Sequence, residues 1–212
     1  MLTKGIKFIN FKKKKINSNL KKKLNNILKE NNQIILSLGK NYKYSFKKKN
    51  LKKYKKNSDY RVIGIGGSSL GARAIYDFLK NKIKKNFIFI DNLGSNFLKE
   101  KKKYTNLIIS KSGNTLETII NSNVAISRGD KNIFITENKN NYLSLYAKKL
   151  KGDIIHHNNF IGGRYSVMSE VGMVPAELMG LDPNKFKIFN NLIKNKIFFN
   201  NLISNVNSIL YF

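Results

Sequence analysis

The stretch IISKSGNTLET, residues 108 to 118, gathers four hydroxyls, Ser110, Ser112, Thr115 and Thr118, around Lys111 and Gly113. They sit where an apolar run passes into a helical pattern. Free backbone N–H groups at a helix start attract anions, and serine and threonine hydroxyls add donors to phosphate oxygens. The chemistry this set suits is the holding of a compact phosphomonoester, with Lys111 adding charge. Helix capping accounts for one hydroxyl, Ser112 or Thr115, with Glu117 favouring the positive end of the dipole. Capping does not need all four. A Walker-type nucleotide loop is excluded by residue order, since Lys111 precedes the glycine and no GK[ST] is present.

Two further clusters have chemical content. In GIGGSSLGARAIYDFL, 64 to 79, Gly64, Gly66 and Gly67 let backbone approach a ligand, while Ser68 and Ser69 are placed to cap the following helix. A dinucleotide fingerprint does not fit, because the position of its third glycine is Ser69. The turn is equally readable as structural. In NNFIGGRYSVMSEVGMVPAELMGLD, 158 to 182, Gly162 and Gly163 precede Arg164, whose guanidinium fork suits a phosphate or a developing oxyanion, or else a surface salt bridge. Val167, Met168, Val171, Val174, Leu178 and Met179 follow at helical spacing and read as core.

The elements that must position these clusters follow from the hydropathy pattern. RVIGIG (61 to 66), FIFID (87 to 91), LIIS (107 to 110), NIFIT (132 to 136) and DIIHH (153 to 157) are apolar on successive residues, as strands covered on both faces are. Stretches of helical length separate them. This alternation predicts an α/β fold, a doubly wound five-stranded parallel sheet of flavodoxin-like type flanked by helices. Ligands of such sheets bind beyond the carboxyl ends of the strands, where strand order reverses. The loops after the first and third runs are therefore the expected site. Ahead of the sheet, residues 1–57 read as a helical lead-in, with Ile16, Leu20, Leu24, Ile27 and Leu28 on one helix face. Residues 58–185 form the sheet domain, and Asp182-Pro183 marks a helix start opening the segment 186–212.

Composition excludes several classes. With no cysteine there is no disulfide framework, thiolate metal site or cysteine nucleophile, and a reducing cytoplasm is compatible. Nothing resembles a signal peptide or the ~20-residue apolar run that spans a bilayer, so a soluble protein is expected, with no membrane partner. The net charge of +29 is almost all lysine, with only Arg61, Arg73, Arg128 and Arg164, and it travels with abundant Asn, Ile and Phe. That mix reads as AT-rich coding. Base readout favours arginine, and the runs Lys12 to Lys15, Lys47 to Lys56 and Lys99 to Lys103 lie in no recognisable nucleic-acid module, so nucleic acid is not the expected partner.

GIGGSSLGA at 64 to 72, ISKSGNTLET at 109 to 118 and IGGRYSVMSEVGMVPAELMG at 161 to 180 together resemble the glucose-6-phosphate isomerase family. The likeness covers about residues 60 to 185. The first two motifs resemble any sugar isomerase (SIS) domain, and GGRYS is the part specific to the isomerase. The resemblance implies that Ser110, Lys111, Ser112, Thr115 and Thr118 hold a sugar 6-phosphate and that Gly67 and Ser68 line the sugar side. It also implies that Gly163 and Arg164 lie near C1 and C2, with Arg164 stabilising an enediolate. It implies a hexose 6-phosphate substrate, no cofactor or metal, and a homodimeric full-length protein.

In that family a glutamate base and a ring-opening histidine and lysine lie well downstream of the GGR segment, and none has a matching position here. Glu170 and Glu177 read as helix-surface acids, and His156 and His157 as mostly structural. The expected identity is an N-terminal part of the isomerase, inactive by itself. The alternative is a non-catalytic phosphosugar-binding or regulatory SIS module.

Overall fold

A computed structural model of the chain describes residues 18–94 and 102–210. Ile16, the run Lys12 to Lys15, and Lys99 to Lys101 lie outside the described residues. In chain order the elements are α1 (Ser18–Lys29), α2 (Gln33–Leu38), α3 (Lys48–Leu51), β1 (Asp59–Ile63), α4 (Leu70–Phe78), β2 (Asn86–Ile90) and β3 (Thr105–Ile109). Then come α5 (Leu116–Ala125), β4 (Lys131–Glu137), α6 (Tyr142–Lys149), β5 (Asp153–His157), α7 (Glu170–Leu178), α8 (Phe189–Lys194) and α9 (Lys196–Leu210).

The chain divides into two compact units. One consists of Lys43–Pro183, and the described residues of the other are 18–42 and 184–210. In the second unit the face of α1 that carries Leu20, Leu24 and Leu28 is only half-buried, and α1 packs on α9. Asn32 starts α2 by accepting bonds from the amides of Ile34 and Ile35, at 2.9 and 3.4 Å. The expected helix start at Pro183 is a 3-10 turn, Pro183–Phe186, followed by the short helix α8 and then by α9.

The unit Lys43–Pro183 is built on a five-stranded, all-parallel sheet in the order β2-β1-β3-β4-β5. Every apolar run became a strand. The adjacent inner strands β1 and β3 are buried at every position, whereas β2 and β5 sit at the edges and are only partly buried. β1 ends at Ile63 rather than running to Gly66, because Gly64 breaks into the turn that leaves the sheet. Buried Arg61 is tolerated in β1 because Nη1 donates to the Ala125 carbonyl at 2.6 Å and the guanidinium lies 3.6 Å from the Tyr104 ring centroid.

Right-handed crossovers carry β1 to β2 in one direction and β3 to β4 to β5 in the other, so α4 falls on one face and α5 and α6 on the other. On the α5/α6 face Ile63, Ile108 and Phe134 pack with Ala125, Leu143 and Ala147. Helix α7 packs against α4 and is buried from end to end. The reading of Glu170 and Glu177 as helix-surface acids is therefore wrong: they are 1% and 4% exposed. Residues before β1 cover them, with Ser45 N–H donating to Glu170 at 3.0 Å and the Lys48 and Lys55 ammoniums pairing with Glu177 at 3.7 and 2.5 Å.

Candidate functional site

Strand order reverses between β1 and β3, which pair directly from Tyr60↔Thr105 to Ile63↔Ile108. Their carboxyl ends therefore open side by side. At the end of β1, a Cβ on Gly64 would lie 2.8 Å from the Ile109 carbonyl oxygen, so only glycine lets the turn leave past β3. The turn Gly66–Ser68 follows. Ser69 occupies the cap position of α4 without bonding its amides, and Ser68 makes no cap bond either, so the expected serine cap does not form. The turn meets the third cluster instead. A Cβ on Gly67 would lie 2.9 Å from the Gly163 Cα and nearer still to the Gly163 carbonyl. Ser166 Oγ ties the two backbones, donating toward the Gly163 and Gly67 carbonyls at 2.7 and 3.1 Å. The segments that carry Ser68 and Arg164 are thus locked together across nearly a hundred residues of sequence. Arg164 is exposed at the start of the 3-10 turn Gly163–Met168.

At the end of β3, Ser110 is 2% exposed, and its hydroxyl lies 2.8 Å from that of Thr115 and accepts from Gly113 N–H at 3.2 Å. Thr115 is the cap residue of α5, yet its side chain bonds no helix amide. Ser112 is exposed and accepts from Asn114 N–H at 3.2 Å. Neither residue caps the helix through its hydroxyl, so α5 opens with its first-turn amides uncapped, the arrangement that favours an anion. Gly113 adopts φ +69° and faces the Asn141 side chain. Thr118 is 1% exposed, and its buried hydroxyl has no hydrogen-bond partner.

Lys111 joins the loop after β3 to the segment before Arg164. Its ammonium donates to the Asn159 carbonyl at 2.7 Å and lies 3.3 Å from Glu137, which also pairs with Lys139 at 3.0 Å. Burial alone would raise the Glu137 carboxyl, but hydrogen bonds from Lys139 and Lys111 hold it below the ordinary carboxylate range. Sequence reading missed Asn141, Glu137 and Ser166. Asn141 had a legible signal, an asparagine just before a helical run: it caps α6, accepting from Ser144 N–H at 2.9 Å while Ser144 Oγ accepts from Asn141 N–H.

The other candidate acid-base groups lie elsewhere. His156 is exposed, and His157 is buried, 3.9 Å from the Glu170 carboxylate. Among the described residues no three His, Asp or Glu side chains gather as a metal set, and no helix is long and apolar enough to cross a membrane.

The chain is 38% identical over 159 residues to a glucose-6-phosphate isomerase of Acholeplasma laidlawii, covering 64% of this chain and 37% of that one. It is 37% identical over 152 residues to one of Methanocaldococcus jannaschii, with the same coverage. It thus spans a little over a third of the length of these curated relatives. Among solved structures, the fold matches a hypothetical protein of Thermus thermophilus with a TM-score of 0.67 at 20% identity, over 88% of this chain and 50% of that one. It also matches a tagatose-6-phosphate ketose/aldose isomerase of Escherichia coli with a TM-score of 0.53 at 15% identity, over 66% and 43%. With residues 45–200 matching the family model for phosphoglucose isomerase, the chain belongs to the phosphoglucose isomerase family.

Proposed function

We propose that the chain is the N-terminal part of a glucose-6-phosphate isomerase and supplies the phosphate-holding half of its pocket. The carrying observation is the Gly67–Gly163 backbone contact, which sets Arg164 on the same strand-end edge as the Ser110 to Thr118 loop. In this reading the 6-phosphate sits on the first-turn amides of α5 and the hydroxyls of Ser110, Ser112, Thr115 and Thr118, with Lys111 adding charge. Gly67 and Ser68 line the sugar. The reaction moves a proton between C1 and C2 of the opened sugar, and charge develops on the carbonyl oxygen as the enediolate forms. Arg164 is the group that stabilises that charge, beside Gly163.

The proton needs a base within hydrogen-bond reach of the carbon that loses it. Glu170 and Glu177 are sealed under the Ser45 to Lys55 segment, and the His157 ring is buried against Glu170. That burial supports a base supplied from outside this chain, by the remainder of a full-length protein that works as a cytoplasmic homodimer without metal or cofactor. A non-catalytic phosphosugar-binding module would share the cradle and lack the turnover. The test is isomerase activity of the 212-residue protein alone and of the protein joined to the remainder of a relative. Negligible turnover is expected from the first, and from the second a turnover that Arg164→Ala removes. Robust turnover by the isolated chain, abolished by Arg164→Ala, would place the base within it.

A further inference from the structure

Composition alone leaves the lysine excess without a location, and the fold sorts it. A parallel sheet puts all strand starts on one edge, opposite the pocket, and every strand of this sheet starts beside lysine. Lys56 precedes β1, Lys84 and Lys85 precede β2, Lys103 precedes β3, Lys131 opens β4 and Lys151 precedes β5. The strand order makes these a row, and at ~4.8 Å per strand the five strands extend it over about 19 Å.

Most acids on this edge are already used, the exception being exposed Asp77 at the end of α4, 4.0 Å from Arg73. Asp59 pairs with Lys102 at 2.7 Å and Asp153 with Lys53 at 2.7 Å. The Asp130 carboxylate, 1% exposed, accepts from the amides of Tyr104 and Ser127 at 2.9 and 3.0 Å. Among the described residues Lys56, Lys84, Lys103 and Lys151 have no carboxylate partner and are exposed. Crowding of like charge shows at Lys85, whose ammonium is depressed first by burial and then by Lys55. The pocket edge is different: Lys111 and Lys139 share Glu137 and Arg73 is 2.8 Å from Asp91, while Arg164 is exposed there. Random scatter from biased coding would load both edges alike.

We propose that this strand-start edge binds the phosphate backbone of single-stranded nucleic acid, independently of sequence and of the phosphosugar site. A row one or two lysines wide fits a linear polyanion better than a plane of lipid headgroups. Eight residues before β2, at the end of α4, Phe78 is 85% exposed beside Lys80, Lys82 and Lys84, and offers a face for one stacked base. Four unpaired lysines on a single strand predict a slope of log affinity against log salt of about −3, a loss of about 50-fold between 50 and 200 mM.

The test measures binding of a fluorescein-labelled 20-nucleotide RNA by anisotropy across that salt range. The triple variant Lys56→Gln, Lys84→Gln, Lys103→Gln is compared with a charge-matched variant of exposed α1 residues, Lys21→Gln, Lys22→Gln, Lys23→Gln, and thermal unfolding checks that both are folded. The expected slopes are about −1 for the row variant and about −3 for the α1 variant and the parent, with Phe78→Ala weakening binding at least 5-fold. Equal losses in the two triple variants would overturn the proposal. So would a parent slope near zero, displacement of the RNA by excess fructose 6-phosphate, or capture of the protein by phosphatidylserine vesicles with no RNA binding.

Discussion

Replacing Gly67 by alanine tests the contact on which the site depends. The new Cβ would lie 2.9 Å from the Gly163 Cα, where ordinary van der Waals contact begins at 3.4 Å, and nearer still to the Gly163 carbonyl. The two segments must part by at least half an ångström. Neither is free to do so cheaply, because Ser166 Oγ bonds both Gly67 and Gly163 carbonyls and β1 anchors the turn. Overpacking of this kind costs about 1–3 kcal/mol, and losing one of the Ser166 bonds costs about 1 kcal/mol more. A total of about 2–4 kcal/mol lowers the unfolding midpoint of a domain this size by about 4–16 °C. Gly162→Ala is the control, since its nearest neighbour is Tyr165 Cδ2 at 4.0 Å, and it should change stability by less than about 0.5 kcal/mol. Thermal unfolding of both variants decides the matter. If Gly67→Ala melts with Gly162→Ala, the two backbones do not touch and Arg164 is not held beside the first turn.

Two other perturbations probe the Ser110 to Thr118 loop. Gly113→Ala forces a side chain into φ +69° and against Asn141, so it should cost more than the ~1–2 kcal/mol of left-handed strain alone, read by denaturant unfolding; a smaller loss would mean the loop is relaxed there. Glu137, held below its unfolded value of about 4.3, contributes stability that is present above that pH and is lost as the pH falls through its folded value. Stability of the parent should therefore decline below about pH 4, and Glu137→Gln should flatten that decline in pH-dependent unfolding. Parallel profiles for the two proteins would show that the Lys111–Glu137–Lys139 cluster does not form in solution.

The strands were legible because a parallel sheet buried on both faces demands uninterrupted apolar residues, and Val62-Ile63 and Leu107-Ile108-Ile109 meet that demand locally. The hydroxyl cluster was legible for the same reason, since Ser110 to Thr118 is one continuous segment. What could not be read is what depends on distant chain. Glutamates in a helix look solvent-facing until Ser45, Lys48 and Lys55, more than a hundred residues earlier, arrive to cover Glu170 and Glu177. Serines at a helix start look like caps. Thr115 turned to Ser110, and Ser69 left α4 uncapped, because the hydroxyls found partners within the strand-end loops rather than in the helix amides. The lysines looked featureless in one dimension, and only the strand order gathers them on one edge.

The central claim is that the Ser110 to Thr118 loop holds the phosphate of a hexose 6-phosphate. Calorimetric titration of the 212-residue protein with fructose 6-phosphate and with fructose tests it most directly. Charge-assisted hydrogen bonds of about 1.5–3 kcal/mol each predict that the phosphorylated sugar binds and fructose does not, and that Ser110→Ala weakens binding about 10-fold or more. Equal affinity for the two sugars, or phosphosugar binding untouched by Ser110→Ala, would contradict it.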